Sequence, residues 1–362
     1  MKKILIDCRM YGMSGIGRYT ENLIRQIINE EKVPFEISLV SYNNNLDKFK
    51  NYKNIKEIIN INIKPLSIKE IFIGTLFFKK MSKKYDLIHF THTNIPFIVP
   101  KKSIITIHDL IPIILKKYFN KLKSLWLYFI LNWNKNNFKK IISVSKSTKQ
   151  DLINVFKIHN ENIEIIYEKI MLDYNYSTER KIEKYFLYVG NRKKHKNLTT
   201  TIRVLDDIFD IYPNYKFYIV GRKFEEYDYI DKEISKCNNK ENFIQLTNVN
   251  DEELYKIYKN AFLFIFLSEY EGFGIPPLEA FSFGVPTIAS NNSSIKEVVK
   301  EGGVLVNEFC EKEIYETILK VIENDNFYKR LVKGTNKNFF RFKNYEEINF
   351  LFELYENIVN NK

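Results

Sequence analysis

Short β-branched or apolar runs alternate with helical stretches along nearly the whole chain. In the first half they are KILIDC, FEISLV, EIINI, LIHF, IITI, IISV and IEIIY, and in the second YFLYV, KFYIV, FIQL, FLFIFL, PTIA and VLV. Runs this short and this uniformly apolar predict parallel strands buried on both faces, joined by helices in βαβ units. At 362 residues the chain is long for a single core and comfortable for two. The alternation breaks at MLDYNYSTERKIEK, which is polar and lacks either structural period. We therefore expect a first Rossmann-like domain over residues 1–170, a linker over 171–184 and a second Rossmann-like domain over 185–343. The end of the chain, 344–362, carries a helical stripe of Ile348, Leu351, Phe352, Tyr355 and Ile358. Such a stripe must pack on something, and we expect it to cross back to the first domain.

Composition narrows the function classes. The net charge of +12 suits nucleic acid, an anionic membrane or phosphorylated substrates alike. No helix-turn-helix, zinc or RNA-binding signature accompanies it, so nucleic acid is not an expected partner. Cys8, Cys237 and Cys310 lie far apart and form neither a disulfide framework nor a metal cage, which fits a reducing compartment. MKKILIDCRM reads as a first strand, not a signal peptide. The longest apolar runs, SLWLYFIL and AFLFIFL, fall short of the roughly 18 residues that span a bilayer. The expected location is the cytoplasm, with attachment to a membrane only at its surface. One segment favours such attachment. Leu115–Lys140 holds seven lysines, seven aromatic residues including both tryptophans, and no acid. That mixture suits the headgroup layer of an anionic inner leaflet. The alternative is a core helix with a solvated basic face, whose buried stripe would be Leu122, Leu125, Phe129 and Trp133.

Residues 261–290, AFLFIFLSEYEGFGIPPLEAFSFGVPTIAS, are the most informative stretch. A buried strand from Ala261 to Leu267 is followed by a loop, then by a short helix expected to start at Pro277 and to stop before Gly284. The loop 268–276 thus lies at the carboxyl end of a parallel strand, where open α/β sheets bind ligands. Gly272, Phe273, Gly274 and Ile275 let backbone N–H groups approach a ligand closely. Glu279, third in the expected helix, is placed either to accept the two hydroxyls of a ribose or to cap its own helix, and Glu271 either to meet a sugar or to stand as a solvated loop acid. A second constellation, YFLYVGNRKKHKNL, has Gly190 ending a strand and Arg192, Lys193, Lys194, His195 and Lys196 crowding the turn before a helix. A metal-free diphosphate site needs such cations. His195 is read as a structural turn residue. In the first domain, Gly12, Gly15 and Gly17 follow the first strand and suit a phosphate cradle. Thr20 stands where a dinucleotide fingerprint requires Gly or Ala, which argues against NAD.

The spacing EGFGIPPLE, with the continuation EAFSFGVPTIAS and Ser293–Val298, resembles the Glu-x7-Glu signature of glycosyltransferase family 4. The likeness extends to GIGRY, TIHDLIP and DLIHFTHTNIP, and so to almost the whole chain. The resemblance implies a GT-B fold, two doubly wound α/β domains facing a central cleft, and retaining transfer of a hexose from a nucleotide-diphosphate sugar. It assigns Lys196 and Arg192 to the donor diphosphate, Glu271 and His108 to the transferred sugar, and Gly15, Gly17 and Gly190 to the donor side. His92 and Asn94 would line the acceptor side, with Asp109 holding the loop or His108. No DxD-like motif falls at a strand end, so neither a metal nor any other cofactor is expected. The contexts are most similar to bacterial mannosyl- or rhamnosyltransferases of surface polysaccharides, which points to GDP-mannose and to a glycan or lipid-linked acceptor. The chain departs from the family at IIYEKIMLDYN, where an Asn-Gly turn is usual, and at LTNVNDEEL, where a Gly-containing loop is. A nucleotide-sugar epimerase or a phosphorylase on the same fold, and a basic nucleic-acid-binding protein, are the competing readings.

Overall fold

A computed structural model describes residues 1–65, 67, 69–170, 180–223 and 228–360. Residues 171–179 of the expected linker lie outside these. The chain divides into two compact units, Met1–Met171 with Tyr345–Lys362, and Leu172–Asn344.

The first unit is built on seven parallel strands: β1 (Lys2–Asp7), β2 (Phe35–Tyr42), β3 (Ile55–Ile61), β4 (Leu87–Phe90), β5 (Ser103–Ile107), β6 (Phe138–Ser143) and β7 (Ile163–Ile165). Their spatial order is β3-β2-β1-β4-β5-β6-β7, so the winding reverses between β1 and β4. Ile4 of β1 stands beside Ile37 on one side and Leu87 on the other. Alternate residues of β1 feed two different cores. Ile4 and Ile6 pack with Leu23 and Ile27 of the Ser14–Asn29 helix, whereas Leu5 packs with Phe78, Ile88 and Phe90. Burial on both faces is why the strand reads as an unbroken apolar run. The last helix, Glu347–Asn360, belongs to this unit. It buries Ile348, Leu351, Phe352 and Tyr355 in the same core as Ile4 and Ile6. Tyr355 also bonds His89 Nδ1 at 2.6 Å.

The second unit has six parallel strands: β8 (Tyr185–Val189), β9 (Lys216–Val220), β10 (Phe243–Leu246), β11 (Leu263–Phe266), β12 (Thr287–Ser290) and β13 (Gly303–Val306). Their order is β10-β9-β8-β11-β12-β13, with the reversal between β8 and β11. Both units are therefore doubly wound, and each has a switch point at the carboxyl ends of two adjacent strands.

One expectation about a helix is corrected, and one alternative reading of another is overturned. The helix after β11 spans Ile275–Ser282 and starts two residues before Pro277. Gly274, at φ +126°, makes the entry, and Pro276 and Pro277 both sit in the first turn, where a backbone N–H has no intrahelical partner to lose. Glu279 is consequently its fifth residue, not its third. The overturned reading concerns the basic segment, where the helix is Lys121–Asn134. Its buried residues are Ser124, Ile130, Leu131 and Asn134, while Leu122, Leu125, Phe129 and Trp133 are all exposed. In the alternative reading of this segment that stripe faced the core; it faces away from it. No helix among the described residues is long and apolar enough to cross a membrane.

Candidate functional site

At the switch point of the second unit, Gly190 leaves β8 with φ +155°, and a Cβ there would meet the Tyr188 hydroxyl at 2.8 Å. The chain then makes one tight turn, Lys194–Lys196, and Asn197, left-handed at φ 53°, opens the Leu198–Ile211 helix. The loop leaving β11 is strapped to this turn. The Ser268 hydroxyl and the Glu269 N–H both donate to the His195 carbonyl, at 3.3 and 2.8 Å. From beyond β12, the Ser293 hydroxyl accepts the Glu271 N–H at 3.0 Å. The Ser294 hydroxyl reaches the Glu271 and Phe273 carbonyls at 2.9 and 2.6 Å. Three strand ends thus fix one another, and together they set Lys196 Nζ 2.5 Å from the Glu271 carboxylate. The ammonium also lies 5.6 Å from the centroid of the Phe266 ring. Both charged side chains keep about a tenth of their surface exposed, 10% and 13%. Gly272, Phe273 and Gly274 lie buried beside them, and Ile275 is half-exposed. The arrangement holds one cation and one carboxylate side by side on a hydrogen-bonded base, fixed charges of the kind that electrostatic catalysis uses.

Other residues of the basic turn point elsewhere. The Arg192 guanidinium is sealed from solvent, donates to Gln245 and stands 3.8 Å from Asp228. Burial lowers its pKa, against the pull of Asp228 and Asp231. Burial, helped by Lys196 and Lys193, pushes the His195 imidazole down to about 3, so it adds no charge at neutral pH. Lys193 and Lys194 are exposed. Glu279 is buried, and its carboxylate accepts the Tyr258 hydroxyl at 2.8 Å, a partner on the preceding Asp251–Asn260 helix.

In the first unit, the glycines after β1 are partly structural. The Ser14–Asn29 helix includes both Gly15 and Gly17. A Cβ on Gly17 would come within 2.9 Å of Gly12 N and Met10 O, so the helix packs directly on the preceding loop. Gly15 is exposed near the helix start with nothing within 4 Å of a Cβ. Below this turn lies a buried ionic cluster. Arg9 grips Asp7 with two bonds of 2.8 and 2.7 Å and meets Glu70 at 2.7 Å. Burial raises the Asp7 carboxyl, but Arg9 and His92 outweigh it and hold it well below the usual carboxylate range. His92 is fully buried, with Nε2 3.5 Å from Asp7 and Nδ1 accepting the Asn94 N–H at 3.0 Å. Burial lowers its pKa. The Asn94 carbonyl accepts from Arg9 at 3.3 Å. His92 and Asn94 are thus both tied to this cluster.

His108 follows β5. Its Nδ1 lies 2.7 Å from the Glu168 carboxylate and its Nε2 2.9 Å from the Thr91 carbonyl, with the Tyr19 ring edge-on at 4.6 Å. Burial lowers its pKa, yet Glu168 more than compensates, and the net direction is up. Asp109 accepts the Ile111 N–H at 2.9 Å and so holds the short Ile111–Ile114 helix. Sequence reading overlooked Glu168, Tyr258 and the Asp7–Arg9–Glu70 cluster. An acid and an arginine directly ending an apolar strand, as in ILIDCRM, was the available signal for the cluster. Glu168 lay within the segment singled out as unusual.

Comparison with known proteins assigns both halves of the chain. A model of Glycosyltransferase Family 4 matches residues 13–173, and one of Glycosyl transferases group 1 matches residues 175–338. The O-antigen chain mannosyltransferase RfbU of Salmonella typhimurium is 28% identical over 233 residues, 64% of each chain. The match thus spans just under two thirds of that relative's length. Sucrose-phosphate synthase from Thermosynechococcus elongatus has the same fold, with a TM-score of 0.76, 16% identity and 100% of both chains covered. So does Anabaena Alr3699/HepE, solved in complex with UDP and glucose, with a TM-score of 0.74, 15% identity, and 99% of this chain and 100% of that one covered.

Proposed function

Since this chain belongs to glycosyltransferase family 4 and has the GT-B fold, we propose that it is a retaining hexosyltransferase of surface polysaccharide synthesis. It takes a nucleotide-diphosphate sugar as donor and a glycan or lipid-linked glycan as acceptor. The observation that carries the reading is the meeting of Lys196 and Glu271 where β8 and β11 end. Lys196 neutralises the departing diphosphate, and Glu271 orients a hydroxyl of the transferred sugar. The acceptor oxygen bonds to the anomeric carbon on the face from which the diphosphate leaves. The broken C–O pair goes to the diphosphate, whose oxygen takes the acceptor proton. Positioning and charge stabilisation supply the rate. No metal or other cofactor is required, so activity survives EDTA.

GDP-mannose is the proposed donor, in keeping with the mannosyltransferase likeness. HepE, with bound UDP, shows that the same fold takes other nucleotides. A panel of nucleotide sugars tested for thermal stabilisation ranks them, and GDP-mannose should give the largest shift. Product analysis with labelled donor then tests the reaction. Label must appear in a second molecule, with the donor's anomeric configuration kept. Label isomerised without acceptor would mean an epimerase.

Attachment to the inner face of the cytoplasmic membrane is part of the proposal. Leu122, Leu125, Trp126, Phe129 and Trp133 are exposed on one helix. Phe97 lies 6.5 and 6.1 Å from the Trp126 and Trp133 rings. Its neighbour Ile98, exposed, donates its N–H to Thr75, one residue from exposed Leu76. Lys116, Lys117, Lys121 and Lys123 flank this surface, all exposed. Aromatic residues with flanking lysines match an anionic headgroup layer, each lysine adding about 1 kcal/mol. The protein should float with anionic liposomes, and less so after exchange of the four lysines for Gln. Failure to float at low salt would end the membrane reading and leave the transferase reading intact.

A further inference from the structure

The ring of His108 has both nitrogens facing acceptors. Glu168 Oε1 is 2.7 Å from Nδ1, and the Thr91 carbonyl oxygen is 2.9 Å from Nε2. A carbonyl can only accept, so Nε2 carries a proton. Between Nδ1 and the carboxylate a second proton must sit, on one or the other. Free imidazole holds a proton roughly two pH units more tightly than a free carboxylate. We infer that Glu168 is a positioning residue that keeps His108 as a doubly protonated imidazolium, so that His108 offers the reaction a fixed positive charge and no basic nitrogen.

The surroundings agree. The two side chains are 11% and 6% exposed, so the pair is largely shielded from solvent. Asp109, next in the chain, adds to the pull towards the charged form. The Tyr19 ring packs edge-on from the Ser14–Asn29 helix. His89 and His92, both within reach of the His108 charge, are pushed down by burial, His89 to about 3. Glu347, from the last helix, is pushed up to about 7 by burial and held by Gln26 and the Lys169 N–H. Among the described residues Glu168 is thus the carboxylate hydrogen-bonded to the ring, and it comes from the segment where this chain departs from its family's usual turn. The consequence rests on the transferase reading. With His108 unable to accept a proton, the acceptor proton has to leave through the donor's own phosphate oxygen.

Nitrogen-15 NMR of histidine-labelled protein at pH 7.5, with His108→Asn used to assign the signal, tests the protonation state without any need for activity. Both His108 nitrogens should be protonated in the parent protein. In Glu168→Gln only one should be, and Glu168→Asp should restore the second. A singly protonated His108 in the parent, or a doubly protonated one in Glu168→Gln, overturns the inference. The parent measurement alone decides if Glu168→Gln fails to fold. The pH profile of kcat/KM supplies the second readout. Activity should fall as pH rises through the His108 pKa, and in Glu168→Gln this limb should move to lower pH by about 1–3 units. A rate that instead rises with pH through the same group identifies His108 as a base and overturns the assignment. Absence of sugar transfer alongside a doubly protonated His108 would refute the transferase reading and leave the imidazolium standing.

Discussion

Two ionic groups stand at strand ends beside the two switch points, and their burial separates their roles. Arg9, Asp7 and Glu70 below the β1 turn are shut away from water, with Arg9 and Asp7 side chains at 0% exposure. Lys196 and Glu271 at the ends of β8 and β11 make an equally short contact but retain a window to solvent. A sealed ion pair has its attraction spent on its own desolvation and holds structure in place. A pair with a window can exchange one partner for a ligand. The same residue chemistry at equivalent places in two related sheets thus yields a fastener in one unit and a candidate binding group in the other.

The largest effect should come from cutting the fastener. Arg9→Ala leaves Asp7 and Glu70 buried without their cation, which costs about 3–5 kcal/mol. Thermal or urea unfolding measures it. A loss below about 1 kcal/mol would mean that water reaches the cluster, and the contrast between the two pairs would collapse.

Lys196→Ala tests the other side. Turnover should fall on the order of 10²–10³-fold, the scale seen when one group stabilising developing negative charge is removed, with much less loss of stability than Arg9→Ala. Affinity for nucleoside diphosphate should fall and affinity for monophosphate should not. An equal fall in both would show that Lys196 does not read the second phosphate. Glu271→Ala frees the lysine from its carboxylate, so diphosphate affinity should hold or rise while turnover drops.

This contrast was only half visible in the sequence. The strands were legible because burial on both faces makes each a continuous apolar run, as in LIHF, all four residues of which are buried. That Lys196 and Glu271 lie on loops leaving two strands was legible, because each loop follows its own apolar run. Arg192 was not, since its inward turn depends on Gln245 and Asp228, contributed by distant segments. The stripe at Leu122, Leu125, Phe129 and Trp133 was seen, but its direction stayed between two readings. Ile130 and Leu131 on the same helix are apolar too, and periodicity alone cannot say which face the core takes. The loop beneath Gly17 excludes a Cβ there, a packing demand that a glycine-rich turn in the sequence does not display. Glu168 meets His108 across 60 residues, a distance no local pattern spans.

Glu279→Ala sharpens the view of the second unit on a smaller scale. A charge-assisted ribose contact is worth about 1.5–3 kcal/mol, roughly a ten- to hundredfold loss of nucleotide affinity by calorimetry. Tyr258→Phe removes only the hydroxyl that Glu279 now accepts, and should change affinity by a factor of a few. If the tyrosine variant loses as much as the glutamate variant, the pair acts through structure and Glu279 leaves the ribose site.

The smallest effect concerns another buried acid, one with no hydrogen-bonded cation among the described residues. Asp7 and Glu347 are both fully buried, yet Arg9 and His92 hold Asp7 down while burial drives Glu347 up to about 7. Among the described residues Glu347 accepts from two neutral donors, Gln26 Nε2 and the Lys169 N–H, each at 2.9 Å, and the His108 charge, without a hydrogen bond to it, lowers its pKa less than burial raises it. Its folded pKa lies above the ordinary 4.5, so the folded state binds more protons than the unfolded state between these values. Stability from this group is complete below about pH 4.5 and is lost as pH rises through about 7. Asp7 has the opposite sign: its contribution is present at neutral pH and disappears only in acid. Glu347→Gln keeps an oxygen that can accept both bonds and removes the titration. The variant should match the parent near pH 5 and exceed it at pH 8 by about 1–2 kcal/mol, a fraction of the full linkage. Equal pH dependence in the two proteins would mean that Glu347 is ionised in the fold. The buried acid on the last helix would then have a compensating charge, as Asp7 does, and the distinction drawn between them would fail.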